Sequence, residues 1–162
     1  MTRRDFTSVS AGAAGAAANS LALDTLTNAP RFKAKTLEGH VFDNASLKGK
    51  VVLIQLWATW CGYCRKDQPA VDEITEEFKD RGLVVLAVNA GENKRKVRAY
   101  LESNPRACHI VLMEDTNLAA AFAARGYPKY VVINREGKIV KEQEGAGGLR
   151  ALRYLVAAAG LS

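Results

Sequence analysis

The pair Cys61-Gly62-Tyr63-Cys64 sits directly behind the apolar run Val51-Val52-Leu53-Ile54 and the aromatic-rich stretch Trp57-Ala58-Thr59-Trp60. Cysteines two residues apart at the junction of a buried strand and a helix can reach one another without backbone movement. The helix N-terminus that follows favours negative charge. A thiolate rather than a thiol is the reacting species, so this placement makes Cys61 a nucleophile near neutral pH. Cys61 is expected to be exposed at the first helical turn, and Cys64, one turn further in, to be the resolving thiol. Trp60 reads as an apolar rim beside Cys61, and Trp57 as a core residue of the strand.

The chain around this motif has 162 residues, enough for one domain with a sizeable core. The formal charge of +6 is concentrated partly in Lys94-Arg95-Lys96 with Arg98. Without interleaved aromatics that cluster reads as a solvated helix face, and no nucleic-acid partner is expected. Three cysteines do not make a disulfide framework. Cys61 and Cys64 pair, and Cys108, next to His109, is left over. Two readings stay open for it: a small buried hydrophobe, or a third redox or metal-binding thiol. A zinc site needs a second cysteine pair, which the chain lacks. A metal-binding module built on Cys61, Cys64 and His109 stands as the reading from a different class, but the expectation is no metal and no cofactor.

The chain opens with Thr2-Arg3-Arg4-Asp5-Phe6, then a weakly apolar Ala/Gly-rich stretch with small residues suited to cleavage. This order resembles a twin-arginine export signal. Residues 1–29 are therefore assigned to an export signal and linker, and 30–162 to the folded domain. Export would place the protein in the oxidising periplasm. An uncleaved, membrane-tethered form is the alternative.

Within the domain, Arg31–Thr36 and Val41-Phe42 predict a small N-terminal β-hairpin. Val51–Trp57 predicts a strand apolar enough to be covered on both faces. A helix follows from Cys61 to about Asp80, kinked at Pro69, with Val71, Ile74 and Phe78 inward. Leu83–Asn89 is the next strand, parallel to the first because a helix connects them. Further on, the pattern predicts a helix over Asn93–Ser103, a strand over His109–Met113 and an Ala-rich helix over Asn117–Arg125. A hairpin around Arg135-Glu136-Gly137 and a final helix ending at Gly160 complete a mixed α/β sheet flanked by helices.

From about Pro30 onward the chain resembles the thioredoxin fold, and within it the TlpA/ResA-like exported thiol–disulfide oxidoreductases. The match is carried by Lys48-Gly49-Lys50-Val51-Val52-Leu53 leading into Trp57-Ala58-Thr59-Trp60-Cys61. Pro69 in the active-site helix, Ala87–Glu92, Gly126-Tyr127-Pro128 and Glu136–Val140 add to it. The resemblance implies a cis Pro128 whose preceding residue, Tyr127, offers its backbone to a substrate chain. It also implies that Glu92 accepts a proton from Cys64. Trp60, Gly62, Tyr63, Tyr127 and Pro128 make up the expected substrate-binding set. The chain departs from the family in three places. Gly62-Tyr63 lacks the usual proline between the cysteines and bears on reduction potential. Gln55 stands where thioredoxins bury an Asp, and Lys129-Tyr130 stands where Thr-Thr is frequent. The implied function is a monomeric exported oxidoreductase that reduces disulfides in other exported proteins, for example during cytochrome c maturation. A membrane or periplasmic partner would supply its electrons. Isomerase or oxidant activity with the same cysteines stays open.

Overall fold

The computed structural model describes residues 25–162. The export signal assigned to the first residues lies outside that range, whereas the linker does not. Among the described residues, the Thr27 carbonyl accepts the Ile139 N–H at 2.8 Å and the Ala29 N–H donates to Gly137 at 2.9 Å. The chain therefore joins the domain a few residues before Pro30, pinned to the edge of a hairpin. No helix of the described residues is long and apolar enough to cross a membrane.

Seven strands form one mixed sheet: β1 (Lys33–Thr36), β2 (Val41–Asp43), β3 (Val51–Trp57), β4 (Leu83–Asn89), β5 (His109–Thr116), β6 (Lys129–Ile133) and β7 (Ile139–Glu144). Their spatial order is β2-β1-β5-β4-β3-β6-β7. The β3–β4 and β4–β5 pairs are parallel, with Val51 opposite Leu83 and Trp57 opposite Asn89. The remaining pairs are antiparallel. Four α-helices complete the fold: α1 (Gly62–Phe78), α2 (Lys94–Ser103), α3 (Leu118–Ala121) and α4 (Gly148–Ala158).

Every residue of β3 is buried, as its unbroken apolar run requires of a central strand. Alternation divides it between two cores. Val51, Leu53 and Trp57 face the core beneath α1, α2 and α4, where they meet Val71, Ile74, Val97 and Leu152. Val52, Ile54 and Leu56 face the second core with Phe32, Leu47, Leu118 and Phe122. Three helices thus cover one face of the sheet. The other is closed by the N-terminal segment, the 43–50 turns and α3.

Two expectations shift. The Ala-rich segment after Asn117 forms only the single turn of α3 rather than a helix to Arg125. Phe122 must enter the second core, and the chain then turns back toward Cys61, with the Arg125 N–H held by Glu144 at 3.2 Å. The strand beginning at His109 continues to Thr116 because its far end pairs with β1 at Ala34. α1 contains Pro69 and closes through a 3₁₀ turn over Lys79–Arg81 onto Gly82, whose φ of 93° suits glycine.

Candidate active site

The carboxyl ends of β3 and β4 and the N-terminus of α1 meet at one rim of the sheet, the usual place for chemistry in such sheets. Cys61 is the N-cap of α1, and the Cys64 N–H points at its sulfur at 3.2 Å. The first turn of α1 contains no acidic residue. A negative charge on Cys61 Sγ would therefore meet a backbone donor and the positive end of the helix dipole, with no carboxylate in that first turn. Cys61 and Cys64 are joined as a disulfide, with their Cα atoms 5.2 Å apart.

Cys61 is not exposed as expected. Only 5% of its surface is accessible, while Trp60 and Tyr63 on either side are 61% and 67% exposed. The Trp60 ring meets Tyr127 edge-on at 5.9 Å, and the Tyr127 carbonyl oxygen lies 3.5 Å from Cys61 Sγ. These aromatics and the Tyr127 backbone shade the sulfur from the side. The Tyr127–Pro128 peptide is cis, the geometry implied by the resemblance. Gly62 is exposed, with open space where a side chain would stand. The structure thus brings Trp60, Gly62, Tyr63, Tyr127 and Pro128 together around the cysteines.

Glu92 takes a different set of contacts from those a proton acceptor for Cys64 needs. Its carboxylate receives the Thr59 N–H and hydroxyl, each at 2.6 Å, the Asn89 amide at 3.0 Å and the Lys96 ammonium at 3.0 Å. Burial pushes the Glu92 carboxyl up, but the hydrogen bonds from Thr59, Asn89 and Lys96 outweigh it and hold the group at about 2. Such a carboxylate is a weak base. It anchors Thr59, whose carbonyl also receives two bonds from the Arg65 guanidinium at 3.0 and 2.7 Å. Glu92 and Arg65 therefore clamp the turn that presents Trp60 and Cys61.

A pH signature follows. Because the folded value lies below the ordinary 4.5, the stabilisation from Glu92 is complete above that pH and is lost as pH falls toward about 2. Glu92→Gln leaves one carbonyl oxygen where two Thr59 donors converge. The expected loss at pH 7 is on the order of 1–3 kcal/mol, with wild-type and variant melting temperatures converging near pH 2–3. Calorimetry at the two pH values checks it; a pH-independent difference would contradict it.

One helical turn beyond Cys64, α1 carries another carboxylate, Asp67. It sits on the same inward face and is 1% exposed. Residues three apart on a helix have Cβ atoms about 5–6 Å apart. Its Oδ2 receives the Tyr130 hydroxyl at 2.8 Å and the Gly147 N–H at 3.2 Å; its Oδ1 receives the Gly148 N–H at 2.9 Å. Gly147 permits this approach, since a Cβ there would meet Ala151 Cβ at 2.5 Å. A sequence signal for Asp67 existed. Stepping back by seven from Val71 and Ile74 lands on Cys64 and Asp67, so a carboxylate occupies the apolar stripe of the helix.

Cys108 is free and buried, and burial pushes its thiol up to about 11. It stays protonated at neutral pH. No group of three or more His, Cys, Asp or Glu among the described residues could hold a metal ion.

A dithiol–disulfide pair capping a helix at the rim of this mixed sheet, beside a cis-proline loop, defines a redox protein of the thioredoxin-fold class. The chain belongs to the Redoxin family, whose model matches residues 25–151. It is 34% identical over 119 residues to the thiol-disulfide oxidoreductase ResA of Bacillus subtilis (strain 168), covering 74% of this chain and 66% of that protein. It is likewise 34% identical over 114 residues to the thioredoxin-like protein YneN of the same organism, covering 68% of this chain and 66% of that one. The chain thus spans just under two thirds of the length of these relatives. Among solved structures, it is similar to a thiol:disulfide interchange protein of the thioredoxin family from Chlorobium tepidum TLS. The TM-score is 0.73 at 26% identity, over 83% of this chain and 96% of that one.

Proposed function

We propose that this protein is an exported thiol–disulfide oxidoreductase that reduces disulfides in other exported proteins. The observation that carries the reading is Cys61 at the N-cap of α1, with the Cys64 N–H aimed at its sulfur. The kinship with ResA supports thiol–disulfide exchange, and the Arg3-Arg4 opening supports export; cytochrome c maturation is one role such a protein would serve.

The cycle begins with the dithiol. The Cys61 thiolate attacks one sulfur of a substrate disulfide. A new S–S bond forms, the old one breaks, and one substrate thiolate leaves and takes a proton from solvent. Cys64 then loses its proton to the Asp67 carboxylate, and its thiolate attacks Cys61 Sγ. The second substrate thiolate departs and is protonated, regenerating the Cys61–Cys64 disulfide. The substrate has gained two electrons and two protons. A donor dithiol, held by a membrane or periplasmic partner, restores the protein by the same exchange in reverse. In this reading Tyr127 holds the substrate chain through its backbone. Trp60 and Tyr63, with Gly62 leaving the surface low between them, supply the apolar contact. Glu92 positions the turn rather than moving the proton.

The test is insulin reduction with dithiothreitol as donor, together with the equilibrium potential of the Cys61–Cys64 couple. The reading expects catalysed precipitation of insulin chains. It also expects a potential nearer the roughly −270 mV of thioredoxin than the roughly −180 mV of protein disulfide isomerase. A potential near the latter, with efficient rescue of scrambled substrate, would assign the same cysteines to isomerisation.

A further inference from the structure

Asp67 is the end of a buried polar chain whose other members the cycle above does not use. The Tyr130 hydroxyl donates to Asp67 at 2.8 Å and accepts the Gln55 side-chain amide at 3.2 Å. The Gln55 oxygen in turn accepts Arg106 Nη2 at 3.2 Å. The Arg106 side chain is only 2% exposed; it also pairs with Asp72 at 3.2 Å and lies over the Trp57 ring at 5.6 Å. Tyr130 and Gln55 are themselves fully buried, facing each other across the β3–β6 pairing.

Every hydrogen bond in this chain has one direction. Arg106 can only donate, which fixes the Gln55 oxygen toward it and the Gln55 amide toward Tyr130. Tyr130 must then accept from Gln55 and turn its own proton to Asp67. Burial first, and then the Asp67 charge, push the Tyr130 phenol far up, so it remains a donor throughout the working pH range. A buried cation nearly 40 residues away in sequence thereby sets the orientation of the carboxylate one turn beyond Cys64.

We propose that Tyr130, locked by Gln55 and Arg106, is a positioning residue that orients the Asp67 carboxylate to take the Cys64 proton during resolution. The proposal rests on the reading of Asp67 as proton acceptor. It gives a shared purpose to two departures from the family pattern, Gln55 and Tyr130, which pair with one another. The charged and titratable groups around the Tyr130–Asp67 contact are few. α1 contributes Asp67, Cys64 and, through Arg106, Asp72; the loop after α2 contributes Arg106. α4 contributes only the Gly147 and Gly148 N–H groups, its Arg153 being turned outward to Glu73 and Glu77. On β6, Lys129 pairs instead with Glu142 of β7.

The experiment follows release of substrate thiol from a preformed Cys61 mixed disulfide across pH, in wild type, Tyr130→Phe, Asp67→Asn and the double variant. Tyr130→Phe keeps the ring and removes one donor. It is expected to slow resolution about tenfold and to displace the pH profile by about one unit. The rate at which Cys61 first attacks substrate should be unchanged. In the Asp67→Asn background, Tyr130→Phe should add nothing. Additive losses, or a slower rate with an unmoved pH profile, would reduce Tyr130 to a packing residue and overturn the proposal. If Asp67→Asn slows resolution while Tyr130→Phe does not, the proposal fails and the reading of Asp67 survives. If Asp67→Asn has no effect, both fail. Should Tyr130→Phe not fold, Gln55→Met frees the Tyr130 hydroxyl to rotate. The same displaced profile is then expected with a smaller loss, and an unmoved profile overturns the proposal.

Discussion

Replacing Cys61 by serine is expected to bring insulin reduction down to the uncatalysed level, whereas replacing Cys64 by serine is expected to stop the cycle halfway. The asymmetry comes from the geometry. Only Cys61 caps α1 and lies beside the Tyr127 carbonyl where a substrate chain would pair. Cys64 lies one turn further along α1, and its backbone N–H points back at the Cys61 sulfur. A Cys64→Ser protein retains the nucleophile, so it should capture a substrate disulfide and hold it as a stable mixed disulfide, visible on a non-reducing gel and in intact mass. A Cys61→Ser protein has only the thiol that does not cap the helix and should capture nothing. Equal trapping by both variants would mean that the two sulfurs are interchangeable, which the helix N-cap arrangement does not allow. Cys108, held as a neutral thiol by burial, should contribute to neither product, and Cys108→Ala should leave both outcomes as they are.

The second large effect belongs to Asp67. A buried thiol ionises reluctantly, and a positioned base typically contributes about 10²–10⁴-fold to such a step. Asp67→Asn keeps the size and can still receive the Tyr130 hydroxyl and one glycine N–H, so the fold should persist. Resolution of the mixed disulfide should slow by roughly 10²-fold or more, while capture by Cys61 proceeds at its normal rate. Rapid mixing with a chromogenic disulfide separates the two steps. Loss of the first step along with the second would point to a collapsed α1–α4 junction instead, because Asp67 also receives the Gly147 and Gly148 N–H groups.

The two cysteines and Asp67 mark the boundary of what the sequence shows. Cys61 and Cys64 are legible because a two-residue spacing behind an apolar run has few other uses. β3, β4 and α1 follow from the same passage, since continuous apolar strands and a helical stripe are strong periodic signals. Asp67 was hidden in plain view. It stands among Lys66, Asp72, Glu73 and Glu76, and a charge in that company reads as solvated until the helix is rotated against its neighbours. Gln55 is visible in the sequence as a departure from the family's buried Asp, but what it faces is not. Only the fold shows a carboxylate arriving from α1 on the same side of the sheet, with Tyr130 between them.

Glu92 is the converse case. Its place after β4 brings it close to the cysteines in sequence logic, yet the carboxylate is consumed by Thr59, Asn89 and Lys96. Which way a side chain points at the end of a strand is set by local donors, and the pattern of apolar residues carries no information about them. The overextended Ala-rich helix has the same origin. Alanine favours helix locally, but burial of Phe122 and the return of the chain to Pro128 decide where it ends.

The most direct test of the central claim is the pH dependence of Cys61 alkylation in the reduced protein, read by mass spectrometry of the labelled peptide. Cys61 is expected to react as a thiolate with its midpoint near pH 7 or below, within the range seen for thiols at helix N-termini, while Cys64 and Cys108 remain unlabelled. A midpoint at about 8.5, the ordinary value for free cysteine, would show that α1 does not activate the sulfur it caps.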